Sequence, residues 1–125
     1  MEFNSQQPIY LQIAEMICER IVLKQFREDE RILSVREMAV QLEVNPNTVM
    51  RTFEFLQGKE IINNKRGVGY FVAADGISKA GDLLKTEFVQ VKLPQFFKTA
   101  RLLAISPEEL QELYAKFINN TDVQK

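Results

Sequence analysis

The chain has 125 residues, of which 46% are hydrophobic, so it can form one small domain with an appendage and a packed core. It contains no histidine and one cysteine, which excludes histidine-dependent catalysis, imidazole metal sites, intrachain disulfides and thiolate metal clusters. Carboxylate chemistry stays formally open, but the 17 acidic residues are spread along amphipathic segments, so we predict no enzyme, no cofactor and no metal site. The net charge of −1 does not favour nucleic-acid binding, and the lack of any apolar run near the roughly 20 residues of a membrane span predicts a cytoplasmic protein.

The first predicted element is an amphipathic helix over residues 8–24, "PIYLQIAEMICERIVLK". It begins with a proline, and isoleucines recur at four-residue spacing, which places them on one apolar face. The charged stretch "REDER" at 27–31 follows and predicts a loop.

A helix-turn-helix is predicted next, over "SVREMAVQLEVNPNTVMRTF". Ser34 and Glu37 have the spacing of a capping box, which starts a short helix that runs to about Leu42. Asn45 is a good N-cap, and Pro46 suits the first position of a second helix.

A β-hairpin is predicted over residues 61–73. Two short apolar strands flank "KRGVG", whose glycines permit the positive φ that a hairpin tip requires. A hairpin directly after the second helix of the motif completes a winged helix-turn-helix. The predicted fold class is therefore mainly α with a small β wing, and this domain is expected over residues 1–75.

Residues 76–125 are predicted to form a short helical region for dimerisation or effector binding. A helical pattern from about 77 to 103 contains Pro94, which should kink or end it, and Ser106 starts another helix. The apolar stripe suggests a cofactor pocket, simple packing or a homodimer interface; we favour the interface, because helix-turn-helix proteins recognise palindromes through a two-fold axis. The predicted interface residues are Leu83, Leu84, Phe88, Phe96, Phe97, Leu110, Leu113, Tyr114 and Phe117.

The polar side chains that open the second helix of the motif are the strongest candidates for base contacts. Asn45, Asn47 and Thr48 carry amides and a hydroxyl suited to base edges in the major groove. Arg51, on the next turn, can bind guanine or a phosphate. The alternative interpretation is that these residues only cap and start the helix.

The wing and the preceding helix add cations. Lys65 and Arg66 stand at a glycine tip, so they can follow a minor groove or a row of phosphates, or they can be ordinary solvated charges. Arg36 can reach a phosphate or form a surface ion pair with Glu37 or Glu43.

The stretch "ILSVREMAVQLEVNPNTVMRTFEFLQGKEIINNKRGVGYFV" resembles the winged-helix domain of GntR-type bacterial transcription regulators. The Asn-Pro-Asn-Thr-Val version with a short helical tail is most similar to the YtrA-type subfamily. The resemblance implies a homodimeric repressor on an inverted repeat of double-stranded DNA, often at an operon that contains an ABC transporter. The DNA contacts implied by the resemblance and by the wing are Ser34, Arg36, Asn45, Asn47, Thr48, Arg51, Lys65, Arg66, Gly67, Gly69 and Tyr70.

Three positions depart from the family pattern. Leu33 replaces a proline, Met50 stands where other branches often have a basic residue, and Glu60 replaces a glycine, so Gly58 is expected to take over the left-handed cap.

The tail and the overall charge leave alternatives. About 50 residues without a histidine cannot form the larger effector domains of the family, so either a small effector lies between the tail helices or regulation uses no ligand domain. The alternative function is a winged-helix protein-interaction module without specific DNA binding. RNA binding is a lesser variant, since no aromatic stacking platform is evident.

Overall fold

A computed structural model describes residues 7–124, which form two compact units divided between Thr86 and Glu87. The first unit contains α1 (Ile9–Val22), α2 (Val35–Leu42), α3 (Pro46–Gly58), β1 (Ile62–Lys65), β2 (Gly69–Val72) and α4 (Gly76–Glu87) without its last residue. The second contains a π-helical segment (Phe88–Lys92), α5 (Leu93–Leu102) and α6 (Pro107–Gln124). The predicted fold class, mainly helical with a two-stranded antiparallel wing, is confirmed.

The first three helices bury one apolar face each around a common core. Their buried apolar residues include Ile13, Ile17 and Ile21 of α1, Met38 and Ala39 of α2, and Val49, Phe53 and Leu56 of α3. Thr52 is fully buried among them, and its hydroxyl donates a hydrogen bond to the Tyr10 carbonyl oxygen at 2.7 Å, which joins α3 to α1. Burial raises the pKa of the Cys18 thiol to about 12, so this group is neutral in the core.

Both helices of the helix-turn-helix begin at the predicted caps. The Ser34 hydroxyl accepts the Glu37 N–H and the Glu37 carboxylate accepts the Ser34 N–H, each at 3.1 Å, so the capping box is complete. Asn45 Oδ1 accepts the Asn47 N–H at 2.8 Å. Between the helices, Glu43 ends α2 in the left-handed conformation with φ 57°.

The end of α3 differs from the sequence expectation. Gly58 remains inside the helix, and Glu60 itself adopts the left-handed conformation with φ 60°. The prediction that Gly58 would shift the cap is therefore wrong. An ion pair between Glu60 and Lys79 of α4, with Oε2 and Nζ 3.3 Å apart, accompanies the unusual backbone at Glu60.

The wing pairs with more of the chain than the sequence predicted. β1 and β2 pair in the register Ile62–Val72, Asn63–Phe71, Asn64–Tyr70 and Lys65–Gly69. The stretch at 27–31, expected to be a plain loop, instead bonds with the following Ile32 to the other edge of β2. The Asp29 N–H donates to the Val72 carbonyl oxygen at 3.0 Å, and the Ile32 N–H donates to the Tyr70 carbonyl oxygen at 2.9 Å. This pairing satisfies backbone groups that an open sheet edge would leave without partners.

α4 packs on the winged-helix core. Gly76 and Ala80 are buried, and Leu83 and Leu84 are half-buried against the core, so part of the surface of these two leucines is used within the chain. A Cβ at Gly76 would lie 2.7 Å from both the Ile61 carbonyl oxygen and Val72 Cγ1, so only glycine permits this close approach. The predicted boundary at 75/76 thus differs from the observed division, because α4 belongs to the first core.

The second unit is helical and has little core. The π-helical segment ends two residues before Pro94. The missing N–H of Pro94 removes a helical hydrogen bond, so the interruption predicted there takes the form of a local widening of the helix. α6 starts as predicted, with the Ser106 hydroxyl accepting the Glu109 N–H at 3.1 Å. Within the described part of this unit, Ala100 is the one buried residue. No helix of the described residues is both long and apolar enough to span a membrane.

Candidate nucleic-acid interface

The N-terminal turns of α3 and α1 form a shallow groove of about 350 Å³. From α3 it is lined by three of the predicted DNA contacts, Asn47, Thr48 and Arg51. Its other wall is Pro8, Ile9 and Tyr10 at the start of α1. Asn47 and Arg51 are exposed, and Thr48 is half-buried. The structure therefore brings an amide, a hydroxyl and a guanidinium together at one helix start.

Arg51 is held in this groove by Tyr10. The guanidinium carbon lies 4.0 Å from the centroid of the Tyr10 ring, within the range of a cation–π contact. The ring in turn packs edge-on against Phe55, with 6.2 Å between the ring centroids. Because the Tyr10 carbonyl oxygen also accepts the Thr52 hydroxyl, the platform under Arg51 is tied to the core.

The first turn of α2 contributes a free cation and a capped start. Arg36 is exposed and forms no ion pair within residues 7–124, so neither of the predicted alternatives with Glu37 and Glu43 occurs there. Glu37 instead lies 3.8 Å from Arg31. The Ser34 backbone N–H, and then its hydroxyl, hold the pKa of the Glu37 carboxyl below its usual range, because both bond to the charged form. The side-chain oxygens of Ser34 and Asn45 cap the starts of α2 and α3. Each of these two side chains therefore has a structural role besides the predicted contact with DNA.

The turn of the wing presents its cations on an open backbone. Gly67 and Gly69 have φ of 78° and 140°, conformations that favour glycine. Lys65 and Arg66 are exposed, and the Lys65 ammonium lies 4.3 Å from the centroid of the Phe71 ring. The backbone at the turn is thus accessible to a close-approaching ligand.

Tyr70 connects the wing to α3. Its ring packs edge-on against Phe53, with centroids 4.7 Å apart, and its hydroxyl lies 3.9 Å from the Met50 sulfur. Tyr70 is half-buried, so it packs between β2 and α3 and is also a candidate DNA contact. The wing consequently lies beside the exposed face of α3.

Two residues of this region were not predicted from the sequence to take part in the site. Tyr10 belongs to the apolar pattern of the first helix, and nothing in its spacing indicates that Arg51 stacks on it. Arg31 lies in the charged stretch 27–31, where no local pattern distinguishes it from its neighbours, yet its Nε donates to the Val68 carbonyl oxygen at 3.2 Å. Both contacts join residues far apart in the chain.

The predicted interface residues of the tail fall into two groups. Leu83 and Leu84 lie in the first unit, as described above. In the second unit, Phe88, Phe96, Phe97, Leu110 and Tyr114 line one apolar groove of about 600 Å³ together with Lys92 and Leu93. Leu113 and Phe117 are exposed on α6.

A helix-turn-helix with an adjoining wing, polar residues at the start of α3 and cations at the wing turn define a DNA-binding transcription regulator of the winged-helix class. Residues 9–72 match the family of bacterial regulatory proteins called the gntR family, and the chain belongs to this family.

Relatives and solved structures agree with this assignment. The uncharacterized HTH-type transcriptional regulator YhcF of Bacillus subtilis is 39% identical over 89% of this chain and 90% of its own length. The HTH-type transcriptional repressor YtrA of Bacillus subtilis is 28% identical over 87% of this chain and 83% of its own length. A crystal structure of a GntR-family protein from Bacteroides thetaiotaomicron is 45% identical, covers 90% of this chain and 98% of its own, and has a TM-score of 0.72. The predicted resemblance to GntR regulators of the YtrA type is confirmed.

Proposed function

We propose that this regulator is a homodimeric repressor that binds an inverted-repeat operator, with α3 as its recognition helix in the major groove and the wing on the flanking groove. The observation that carries the proposal is the groove at the start of α3, where Asn47, Thr48 and Arg51 converge on one exposed surface. Amide, hydroxyl and guanidinium groups are the donors and acceptors that base edges in the major groove require. Arg36 and the wing cations supply phosphate contacts beside it.

A second copy of the chain is the partner that the tail fits. Phe96 and Phe97 are each 52% exposed and Phe117 is 67% exposed, which is unusual for aromatic side chains without a partner. Charge also favours self-association: Phe88–Leu102 contains three cations and no acid, whereas α6 contains four acids and one cation. Pairing the basic helix of one copy with the acidic helix of another buries the aromatic residues and matches opposite charges.

The family resemblance supports the proposed repression, the proposed target operon and the proposed location in the cell. The relative YtrA is named a transcriptional repressor, which supports repression here. The resemblance further suggests an operon that encodes an ABC transporter and a cytoplasmic protein. An effector, if one exists, would have to be small enough for the tail.

The test is binding to the DNA upstream of the protein's own gene, titrated against nonspecific competitor at two salt concentrations. We expect a protected inverted repeat whose affinity falls as salt rises, because Lys and Arg contacts to phosphates release counterions. Arg51→Ala and Arg66→Ala should each weaken binding about tenfold or more without unfolding the protein. Equal affinity for all duplexes would refute the proposal and favour a winged-helix module that binds proteins, in keeping with the net charge of −1.

A further inference from the structure

The side chain of Arg31 lies between the turn of the wing and the first turn of α2. Its Nε donates a hydrogen bond to the Val68 carbonyl oxygen at 3.2 Å, and its Nη2 lies 3.8 Å from Glu37 Oε1. Gly69 packs against the same guanidinium, since a Cβ at this position would lie 2.8 Å from Arg31 Nε. These contacts join the hairpin turn to the helix that precedes α3.

The backbone of Arg31 is fixed independently of its side chain. Arg31 pairs with Phe71 in an isolated antiparallel bridge, and the next residue, Ile32, donates its N–H to the Tyr70 carbonyl oxygen at 2.9 Å. Ile32 is itself buried in the core. The guanidinium is therefore attached to a rigid base and not to a mobile loop.

The wing needs such an attachment. Its strands have four residues each, and residues 63–68 are all exposed, so the outer half of the hairpin has no core contact. Residues 28–32 pair with the inner half of β2, at Tyr70, Phe71 and Val72, so the outer end of the wing is a two-stranded hairpin, which is marginally stable in water. A wing end free to move would have to be ordered when DNA binds. The Arg31–Glu37 pair, with both side chains about half exposed, contributes little to the stability of the fold.

We propose that Arg31 is a positioning residue for DNA binding, which holds the wing turn against α2 so that Lys65 and Arg66 reach the flanking groove while α3 occupies the major groove. This inference rests on the proposed function. The hydrogen bond from Nε fixes the distance between Arg31 and the turn of the wing. The Glu37 carboxylate, which the capping box holds in place, fixes the orientation of the guanidinium.

The decisive variant is Arg31→Lys, which keeps the positive charge but cannot reproduce the planar Nε–H geometry. The probe is a duplex that the wild-type protein selects from a random pool. We expect about a tenfold loss of affinity, the size that one charge-assisted hydrogen bond permits, with an unchanged dependence of affinity on salt. Arg27→Lys is the matched control, because Arg27 lies in the same segment and its side chain makes no contact with the wing among those the structure describes; it should bind like the wild type.

Double-mutant cycles separate positioning from direct contact. If Arg31 acts through the wing, Arg31→Lys should have little further effect once Lys65→Ala and Arg66→Ala together have removed the wing contacts, and its full effect on an Arg51→Ala background. An Arg31→Ala variant whose loss adds to that of the Lys65→Ala and Arg66→Ala pair, with a salt dependence lower by about one phosphate, would show a direct phosphate contact and overturn the proposal. A lowered melting temperature with equal losses on every background would overturn it as well.

A measurement without DNA distinguishes failure of this inference from failure of the proposed function. In NMR relaxation of the free protein, the backbone amides of residues 66–69 should become more mobile in Arg31→Lys than in the wild type and in Arg27→Lys. Unchanged order parameters overturn the positioning role even if the protein binds a specific operator. Selection that yields no sequence preference, with the wing amides loosened as expected, overturns the proposed function alone.

Discussion

Ser34 and Asn45 each use a side-chain oxygen to cap a helix of the helix-turn-helix. Replacing either residue by alanine should therefore weaken a helix start by about 1 kcal/mol in addition to any lost DNA contact. Asn47 and Arg51 carry no such second role, and variants at these positions report more directly on recognition. The Tyr10 ring orients the Arg51 guanidinium, so variants of Tyr10 test whether this orientation matters for DNA binding.

Tyr10→Leu should weaken binding to the selected duplex about threefold, because a cation–π contact at an exposed site contributes about 0.5–1 kcal/mol. Tyr10→Phe keeps the ring under Arg51 and should bind as the wild type does. On an Arg51→Ala background, Tyr10→Leu should have no further effect. Fluorescence anisotropy with the wild type and these four variants measures this, and an equal loss in Tyr10→Phe would mean that the hydroxyl itself matters.

At the scale of elements, the attachment of α4 shows how strongly one glycine can determine packing. Gly76→Ala places a methyl group 2.7 Å from the Ile61 carbonyl oxygen, so it should lower the free energy of unfolding by about 2 kcal/mol. Gly81, on the same helix, is the matched control, because a Cβ there meets only Val22 Cγ2 at 3.9 Å. Gly81→Ala should raise the free energy of unfolding by roughly 0.5–1 kcal/mol through helix propensity.

Urea denaturation of the wild type and the two glycine variants tests this pair. Opposite signs would show that α4 docks through Gly76. Equal stabilisation by both alanines would mean that α4 does not pack on Ile61 and Val72 in solution.

At the scale of the whole molecule, the proposed dimer depends on the exposed aromatic residues of the second unit. Phe97→Glu places a charge in the apolar surface, so it should convert a dimer into a monomer while the first unit stays folded. Leu23→Glu changes another exposed apolar residue, outside the tail, and should leave the dimer intact. Sedimentation equilibrium gives the masses, and circular dichroism checks the fold. A Phe97→Glu protein that remains a dimer would move the interface away from α5.

The monomeric variant should also bind DNA differently. A protein that has lost its two-fold axis contacts one half-site, so the operator affinity of Phe97→Glu should fall by at least a hundredfold, as expected when a linked second binding event is lost. Its affinity for a single half-site should match that of the wild type. These comparisons connect the tail to recognition without altering any predicted DNA contact.

Most of the winged helix could be predicted from local patterns in the sequence. The isoleucine spacing of α1, the capping box at Ser34, the N-cap at Asn45 and the glycines of the wing each act over a few residues, so their physical basis is contained in the sequence. The same holds for the helix start at Ser106. The same patterns placed Asn47, Thr48 and Arg51 at the start of this helix, where the structure brings them into one groove, and their contact with DNA stays a prediction.

The rest depended on contacts between distant parts of the chain. The stacking of Arg51 on Tyr10, the bond from Arg31 to the wing and the pairing of 28–32 with β2 each join residues whose spacing carries no signal. The left-handed conformation of Glu60, where Gly58 was expected to serve, follows from how the chain must turn after α3 to let β1 enter the core. The sequence by itself thus determined the elements and the chemistry they carry, whereas the tertiary structure decided which side chains hold that chemistry in place, because packing and hydrogen bonding act on distance in space and not along the chain.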